Sequence, residues 1–291
     1  MFRPINDFGL NDLLNLNYKD NLNYLTLGSC LKSEESYIMD FIIYHRYVGI
    51  QKFVFLDREY NILSKLLANE LDVEIIHFPE GPNNTHQDAW AKLINYNKNK
   101  TKWLALIDAD QCLVPAKTNN VCDILKDYEE FASLQLNWRA FGSSFHDKRG
   151  QGSVYERFLL TAEDDSEYNY PTQFICQPDK TLDLKPFEPH YPRLPDGEIS
   201  VNTNKEQISN KKIVKMNPAT PLSFNVPSLH NTLYVNHYTN KSKEEWLIKN
   251  SKGRADIFGA KIPTEQFDEY ESHCNKKIDN RAFELWEEAI K

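Results

Sequence analysis

No glycine-rich phosphate loop occurs in this chain: its 10 glycines form neither a G-x-G-x-x-G nor a G-x-x-x-x-G-K-[S/T] segment. That absence argues against a Rossmann dehydrogenase and against a P-loop enzyme, which need glycines where the backbone approaches phosphate. No run of 18 apolar residues is present, so no segment reads as a transmembrane helix. The opening "MFRPINDFGLNDLLNLNYKDNLNY" lacks the uninterrupted apolar stretch of a signal peptide. Cysteine is sparse: Cys30, Cys112, Cys122, Cys176 and Cys274 are odd in number, with no C-x-x-C pair. Reduced thiols in a cytosolic protein fit this better than a disulfide framework or a zinc site. A cytoplasmic location is therefore expected, with association at the inner face of a membrane left open. The sequons at Asn83, Asn99 and Asn240 would then carry no glycan. An excess of positive charge is also missing, since 34 Lys and Arg face 42 Asp and Glu for a net charge of −8. A nucleic-acid partner is disfavoured on that ground. An anionic substrate is not, because a bound metal ion can supply local positive charge.

What is present suits a soluble globular protein. The 291 residues suffice for one large domain with a sizeable core. Strand-like and helix-like segments alternate through the first half: strands at 24–30, 52–57, 73–78 and 103–108, with helices at 33–49, 61–71 and 87–96. Ser33 is the expected cap of the first helix, and Gly49 its end. Such alternation predicts βαβ units and a parallel sheet. The second half reads as strands at 131–138, 173–178 and 233–238, with a loop-rich stretch from Pro178 to Pro227. Ser242 and Glu245 form a capping box for a helix beginning near Lys243, and a last helix spans 280–291. No linker divides the chain, so one domain of 1–291 is expected.

Ligands of parallel α/β sheets bind beyond the carboxyl ends of the strands. There this sequence places Lys32 and Glu34, then Asp57, then Asp108 and Asp110 of "WLALIDADQCLVP". The two aspartates have two readings: an ordinary turn, or ligands holding a divalent cation against a phosphate. If the strand continued through them, alternate residues would share a face and both could reach one site.

Several segments, in order, resemble the GT-A fold glycosyltransferases, specifically the family 92-like group related to family 2. "LKSEESYIMDFIIYHRYVGIQKFVFLD" is similar to that group's Lys-Asn-Glu segment, Tyr-His-Arg helix and Asp-ended strand. "QDAWAKLINYNKNKTKWLALIDADQCLVP" is similar to its Gln helix and Asp-x-Asp-Glu strand. "LNWRAFGSS" with "YERF" resembles its Trp-x-x-Phe-Gly and Glu-Arg-Phe pair, and "VNHYTNKSKEEWLIKNSKGRAD" its closing segment. The resemblance spans about Leu25 to Asp256.

It implies a GT-A type, Rossmann-like, mostly parallel sheet flanked by helices. Residues 1–130 would form the nucleotide-sugar half, and 131–291 the acceptor half. It also implies metal-dependent, inverting transfer from a nucleotide diphosphate sugar, UDP-hexose favoured, to a glycan or lipid-linked glycan. Mn²⁺ or Mg²⁺ would act as Lewis acid at the leaving diphosphate. Asp110 would bind the metal, Asp108 would face the ribose or a bridging water, and His237 would complete the shell unless it is a structural histidine. Asp57 would accept from the base, with Lys32 and Glu34 close to the nucleotide and Gln87 lining the sugar pocket. Trp138 and Phe141 would stack on the acceptor or else pack in the core. His190 falls where the family often has histidine. Tyr44, His45, Arg46 and Trp90 read as packing residues.

Inversion needs a general base at the acceptor hydroxyl. Glu156 is the first candidate, against an ion pair with Arg157, and Asp147 and His146 are the alternatives. Three positions depart from the family pattern: Ser33 for Asn, Arg58 for Asn, and Gln111 for the Glu after the second aspartate. The last removes a negative charge beside the metal. Arg58 and Gln111 motivate one rival, a non-catalytic sugar- or nucleotide-binding homologue, and the same aspartates could serve another, a metal-dependent phosphodiester or nucleotide hydrolase.

Overall fold

The computed structural model describes residues 22–59, 65–81, 84–182, 190–208, 223–252 and 263–291. Residues 61–64 of the helix expected at 61–71, Asn83 of its sequon, 183–189 and 209–222 of the loop-rich stretch, and 253–256 of the closing helix fall outside them. Eleven strands run through the described residues: β1 (Asn23–Leu31), β2 (Lys52–Asp57), β3 (Val73–His77), β4 (Thr101–Leu106), β5 (Gln111–Pro115) and β6 (Ser133–Ala140), then β7 (Leu160–Thr161), β8 (Thr172–Cys176), β9 (Ser200–Val201), β10 (Leu233–His237) and β11 (Lys277–Ile278). The helices are α1 (Ile38–Tyr47), α2 (His86–Asn97), α3 (Val121–Leu125), α4 (Val154–Arg157), α5 (Lys243–Ser251), α6 (Thr264–Cys274) and α7 (Arg281–Ala289).

One large curled sheet has the order β3-β2-β1-β4-β8-β6-β10-β5, with β9 beside β6. The first four strands are parallel, as their alternation with helices predicts. From β4 onward the sheet turns mixed: β8 is antiparallel to both β4 and β6. β10 is parallel to β6 and antiparallel to β5. The α/β, mostly parallel architecture stands, with an antiparallel centre that the strand alternation did not foretell. β1, β2 and β4 are buried on both faces, which their near-continuous apolar runs require. Among the described residues, no helix is long and apolar enough to cross a membrane.

Two local expectations are corrected. Ser33 does not cap α1, which begins at Ile38 with Tyr37 at the cap position. Ser33 instead adopts a left-handed backbone (φ 58°), and its hydroxyl and N–H both donate to the Glu59 carboxylate. Its hydroxyl is therefore committed across to the end of β2 rather than to the helix. Second, β4 ends at Leu106, and Asp108 and Asp110 lie in the turn before β5 rather than on a continuing strand. The turn is closed by the Gln111 N–H donating to the Asp108 carbonyl at 3.0 Å. The two aspartates therefore do not share a strand face.

The α1 side chains brace this turn from below. Tyr44 donates from its hydroxyl to the Leu113 carbonyl at 3.0 Å. The His45 Nε2 accepts from the Leu113 N–H at 3.3 Å, leaving Nδ1 as the donor to the Phe41 carbonyl at 2.7 Å. Burial lowers the His45 pKa to about 3, so the ring is neutral and can act as both acceptor and donor. Gly49 (φ 105°) lies just past the end of α1, in the backbone region that glycine enters freely.

Candidate active site

The carboxyl ends of β1 and β2 collect unsatisfied polar groups. Asp57, the last residue of β2, is 1% exposed. Its Oδ1 accepts from the Glu59 N–H at 3.0 Å, while its Oδ2 is buried with no hydrogen-bond partner. Buried polar atoms are nearly always satisfied in folded proteins, so an unpaired carboxylate oxygen here marks a place where a ligand donor fits. Next to it, Arg58 donates to the Asn84 carbonyl at 3.1 Å and lies 5.5 Å from the Phe78 ring. Its Nε and second terminal nitrogen are buried and unpaired.

The β4–β5 turn brings the second group together. The buried Asp110 carboxylate meets the Lys249 ammonium at 2.6 Å through Oδ2, and the His237 Nε2 lies 3.7 Å from Oδ1. The position of His237 follows from strand pairing: β10 runs against β5 with His237 opposite Gln111, and the Tyr238 N–H donates to the Asp110 carbonyl at 2.8 Å. Burial alone would raise the Asp110 pKa. Lys249, His237 and Lys241 outweigh it and hold the carboxyl well below the usual carboxylate range. Burial pushes the His237 pKa down to about 4, against the pull of Asp110, so this imidazole is neutral at pH 7. The two side chains therefore face each other at neutral pH as carboxylate and neutral imidazole, both of them ligand groups. An O,N donor set of this kind fits a divalent cation. Among the described residues no third His, Cys, Asp or Glu completes a cluster around them.

Glu34 approaches from the start of the α1 segment, with its Oε2 3.7 Å from the Lys241 ammonium. Burial raises its pKa, Lys241 opposes the shift, and Asp110 adds to it. Lys32, at the same rim, forms an ion pair with Glu80 at 2.8 Å. Asp108 is partly exposed, with the His86 Nε2 3.5 Å from its Oδ1. His86 begins α2, immediately before Gln87, which is half-buried on the same first turn. Gln111 turns toward Asp108 and Gln173 rather than toward Asp110. Its Oε1 accepts from the Asp108 N–H at 3.1 Å and the Gln173 Nε2 at 2.9 Å, and its Nε2 donates to the Asp108 Oδ2 at 3.4 Å. The Gln173 Oε1 in turn faces the His190 Nδ1 at 2.9 Å. An amide can donate to Asp108, which a glutamate at this position could not do when ionised.

Trp138 packs edge-on against His237, ring centroids 4.3 Å apart, and against His190 at 5.6 Å. It is half-buried, with an unpaired buried Nε1, and so can present a face and a donor to a sugar. Phe141 cannot. It is wholly buried and packs on Tyr238 at 4.7 Å, so the expectation of acceptor stacking is corrected to core packing.

Glu156 has a structural occupation. Ser153 caps α4, and the Glu156 Oε2 accepts from the Ser153 N–H at 2.6 Å, closing a capping box. The ion pair expected between Glu156 and Arg157 is replaced by one between Arg157 and Glu245. Asp147 and His146 lie on an exposed loop whose carbonyls accept from the first turn of α5. The sequence reading missed Lys249, Lys241 and His86. Lys249 lies within the closing segment already singled out, yet only the fold shows that the helix aims it at Asp110.

The sequence profile of glycosyltransferase family 92 matches residues 28–278. No curated protein sequence matches the chain. Among solved structures, a 4-diphosphocytidyl-2C-methyl-D-erythritol synthase aligns over 55% of this chain and 77% of its own, with 9% identity and a TM-score of 0.34. S. aureus TarS aligns over 53% of this chain and 28% of its own, with 8% identity and a TM-score of 0.33.

Proposed function

The chain belongs to glycosyltransferase family 92, and from that premise we propose that it transfers a hexose from a UDP-sugar to a glycan or lipid-linked glycan, with inversion, in a divalent-cation-dependent reaction. The observation that carries the donor site is the meeting of Asp110 and His237 at 3.7 Å, two ligand groups brought from distant segments to one buried point. These residues would hold the cation, and when bound it supplies Lewis-acid stabilisation of the departing diphosphate. Mn²⁺ is favoured over Mg²⁺ because imidazole nitrogen is a poor ligand for the harder ion.

The remaining roles belong to the chain itself. The unpaired Asp57 oxygen suits an imide N–H such as that of uracil, which is the reason for preferring a UDP donor. Asp108, held by Gln111 and close to His86, is placed for the ribose. Lys32 and Gln87 border the same rim. Trp138 offers an aromatic platform next to His237 for the sugar. For the acceptor base the proposal retains Asp147, whose carboxylate is exposed and takes no part in a helix cap, in preference to Glu156. The test is a thermal-shift and turnover screen of nucleotide sugars with Mn²⁺ and with EDTA. UDP-hexoses should stabilise the protein and be consumed only with metal, because a ligand that binds the native state raises apparent stability. Equal turnover in EDTA would sink the cation requirement. An α-configured product from an α-configured donor would sink inversion.

A further inference from the structure

We propose that Lys249 is a resident counter-cation of Asp110, one that a divalent ion must displace and that afterwards serves the phosphates of the donor. This rests on the reading that Asp110 and His237 form a cation site.

A buried carboxylate without a partner is costly, so Asp110 needs a positive neighbour whenever no metal is bound. Lys249 supplies it at 2.6 Å. The backbone of α5 is firmly anchored. Ser242 and Glu245 close its capping box, Glu245 is pinned by Arg157, and Trp246 is buried against Phe267. Lys249 lies one turn beyond Glu245 and Trp246, so the helix presents it on the same side. Its side chain is nevertheless 54% exposed, against 9% for Asp110. A flexible four-carbon stem on a fixed backbone can release the carboxylate without moving the helix. Lys241 is not equivalent: it is buried, with its ammonium 4.0 Å above the Tyr37 ring and 3.7 Å from Glu34. Once a cation occupies Asp110, the freed Lys249 ammonium stands at the mouth of the site just as a diphosphate brings in its negative charge. Metal and nucleotide would then bind cooperatively, each removing an obstacle to the other.

The experiment titrates Mn²⁺ into the full chain without nucleotide, by calorimetry or by electron paramagnetic resonance. Lys249→Met and Lys249→Gln are compared with wild type and with Lys243→Met. Lys243 lies on the same helix and pairs with exposed Asp268, so it controls for net charge. Removing the competitor should tighten Mn²⁺ binding roughly two- to fivefold, the scale of a partly exposed ion pair. Lys243→Met should match wild type. In the presence of Mn²⁺, UDP should bind the Lys249 variants several-fold more weakly, while uridine should bind all four proteins alike. Unchanged Mn²⁺ affinity in both Lys249 variants overturns the proposal and leaves the cation site standing. If none of the proteins binds Mn²⁺, even with UDP present, the cation site and the proposal fall together. A thermal melt of each variant confirms that it is folded.

Discussion

Two neighbouring regions of this molecule treat their carboxylates in opposite ways. Around α5 and α6 they are saturated. Glu245 accepts from Arg157, Tyr37 and Ser242, and Glu271 accepts from Ser143, Asn240 and Asn275. At the carboxyl ends of β1 and β2, Asp57 and Glu34 each keep a buried oxygen with no hydrogen-bond partner. The saturated region holds elements together. The unsaturated one leaves room for groups that come from outside the chain. This contrast explains why Glu156, chemically a reasonable base, is better read as architecture: its carboxylate closes a cap in the saturated region.

The comparison breaks most visibly at Glu245. Glu245→Gln weakens a buried ion pair with Arg157 and should cost about 3 kcal/mol or more in chemical denaturation. Burial alone would raise the Glu245 pKa, but Arg157, Ser242 and Tyr37 bring it down to about 2. A depressed folded-state pKa stabilises above the unfolded value of about 4.3 and is lost as pH falls. The stability curves of wild type and variant should therefore converge as pH drops through about 2. Asp110→Asn, at the proposed cation site beside the unsaturated rim, should reduce donor turnover by about a hundredfold or more at saturating Mn²⁺, as loss of a main electrostatic contact does. Turnover within twofold of wild type would remove Asp110 from the site. Asp57→Asn keeps the oxygen that accepts from Glu59 and changes the unpaired one. It should melt within about 1 kcal/mol of wild type while binding UDP roughly tenfold more weakly, the scale of one charge-assisted hydrogen bond. Equal weakening of stability and binding would place Asp57 with the saturated set. The smallest effect is expected from Glu156→Gln, about 1 kcal/mol or less of stability, with turnover per folded molecule nearly unchanged. A hundredfold loss of kcat there would restore it as the base.

Much of the rim at the carboxyl ends of the parallel strands was legible in the residues alone. Apolar runs bounded by turn signals located β1, β2, β3 and β4 to within a few residues, and strand–helix alternation implied that Asp57 and Asp110 end up at one rim. Ser242 and Glu245 announced their cap three residues apart. The antiparallel insertion of β8 between β4 and β6 was not legible, because local patterning says nothing about which strand becomes the neighbour. Phe141 was left between two readings for a related reason. An aromatic residue looks the same in sequence whether it faces a sugar or Tyr238. Lys249 is a tertiary fact, since its meaning lies wholly in a partner 139 residues away. Gln111 was read as a lost charge, whereas its side chain ties the turn to Gln173.

The pairing of β10 with β5 has a consequence in time as well as in space. Asp110 and its turn leave the ribosome long before His237 or Lys249 has been made, and β5, whose strand partner among the described residues is β10, cannot register until Leu233–His237 arrives. Contacts this distant in sequence form late in folding. A growing chain therefore carries the aspartates without their partners until the segment from Leu233 to Lys249 has emerged. Activity is then a check on assembly: a molecule that transfers sugar has, by that fact, brought β10 against β5.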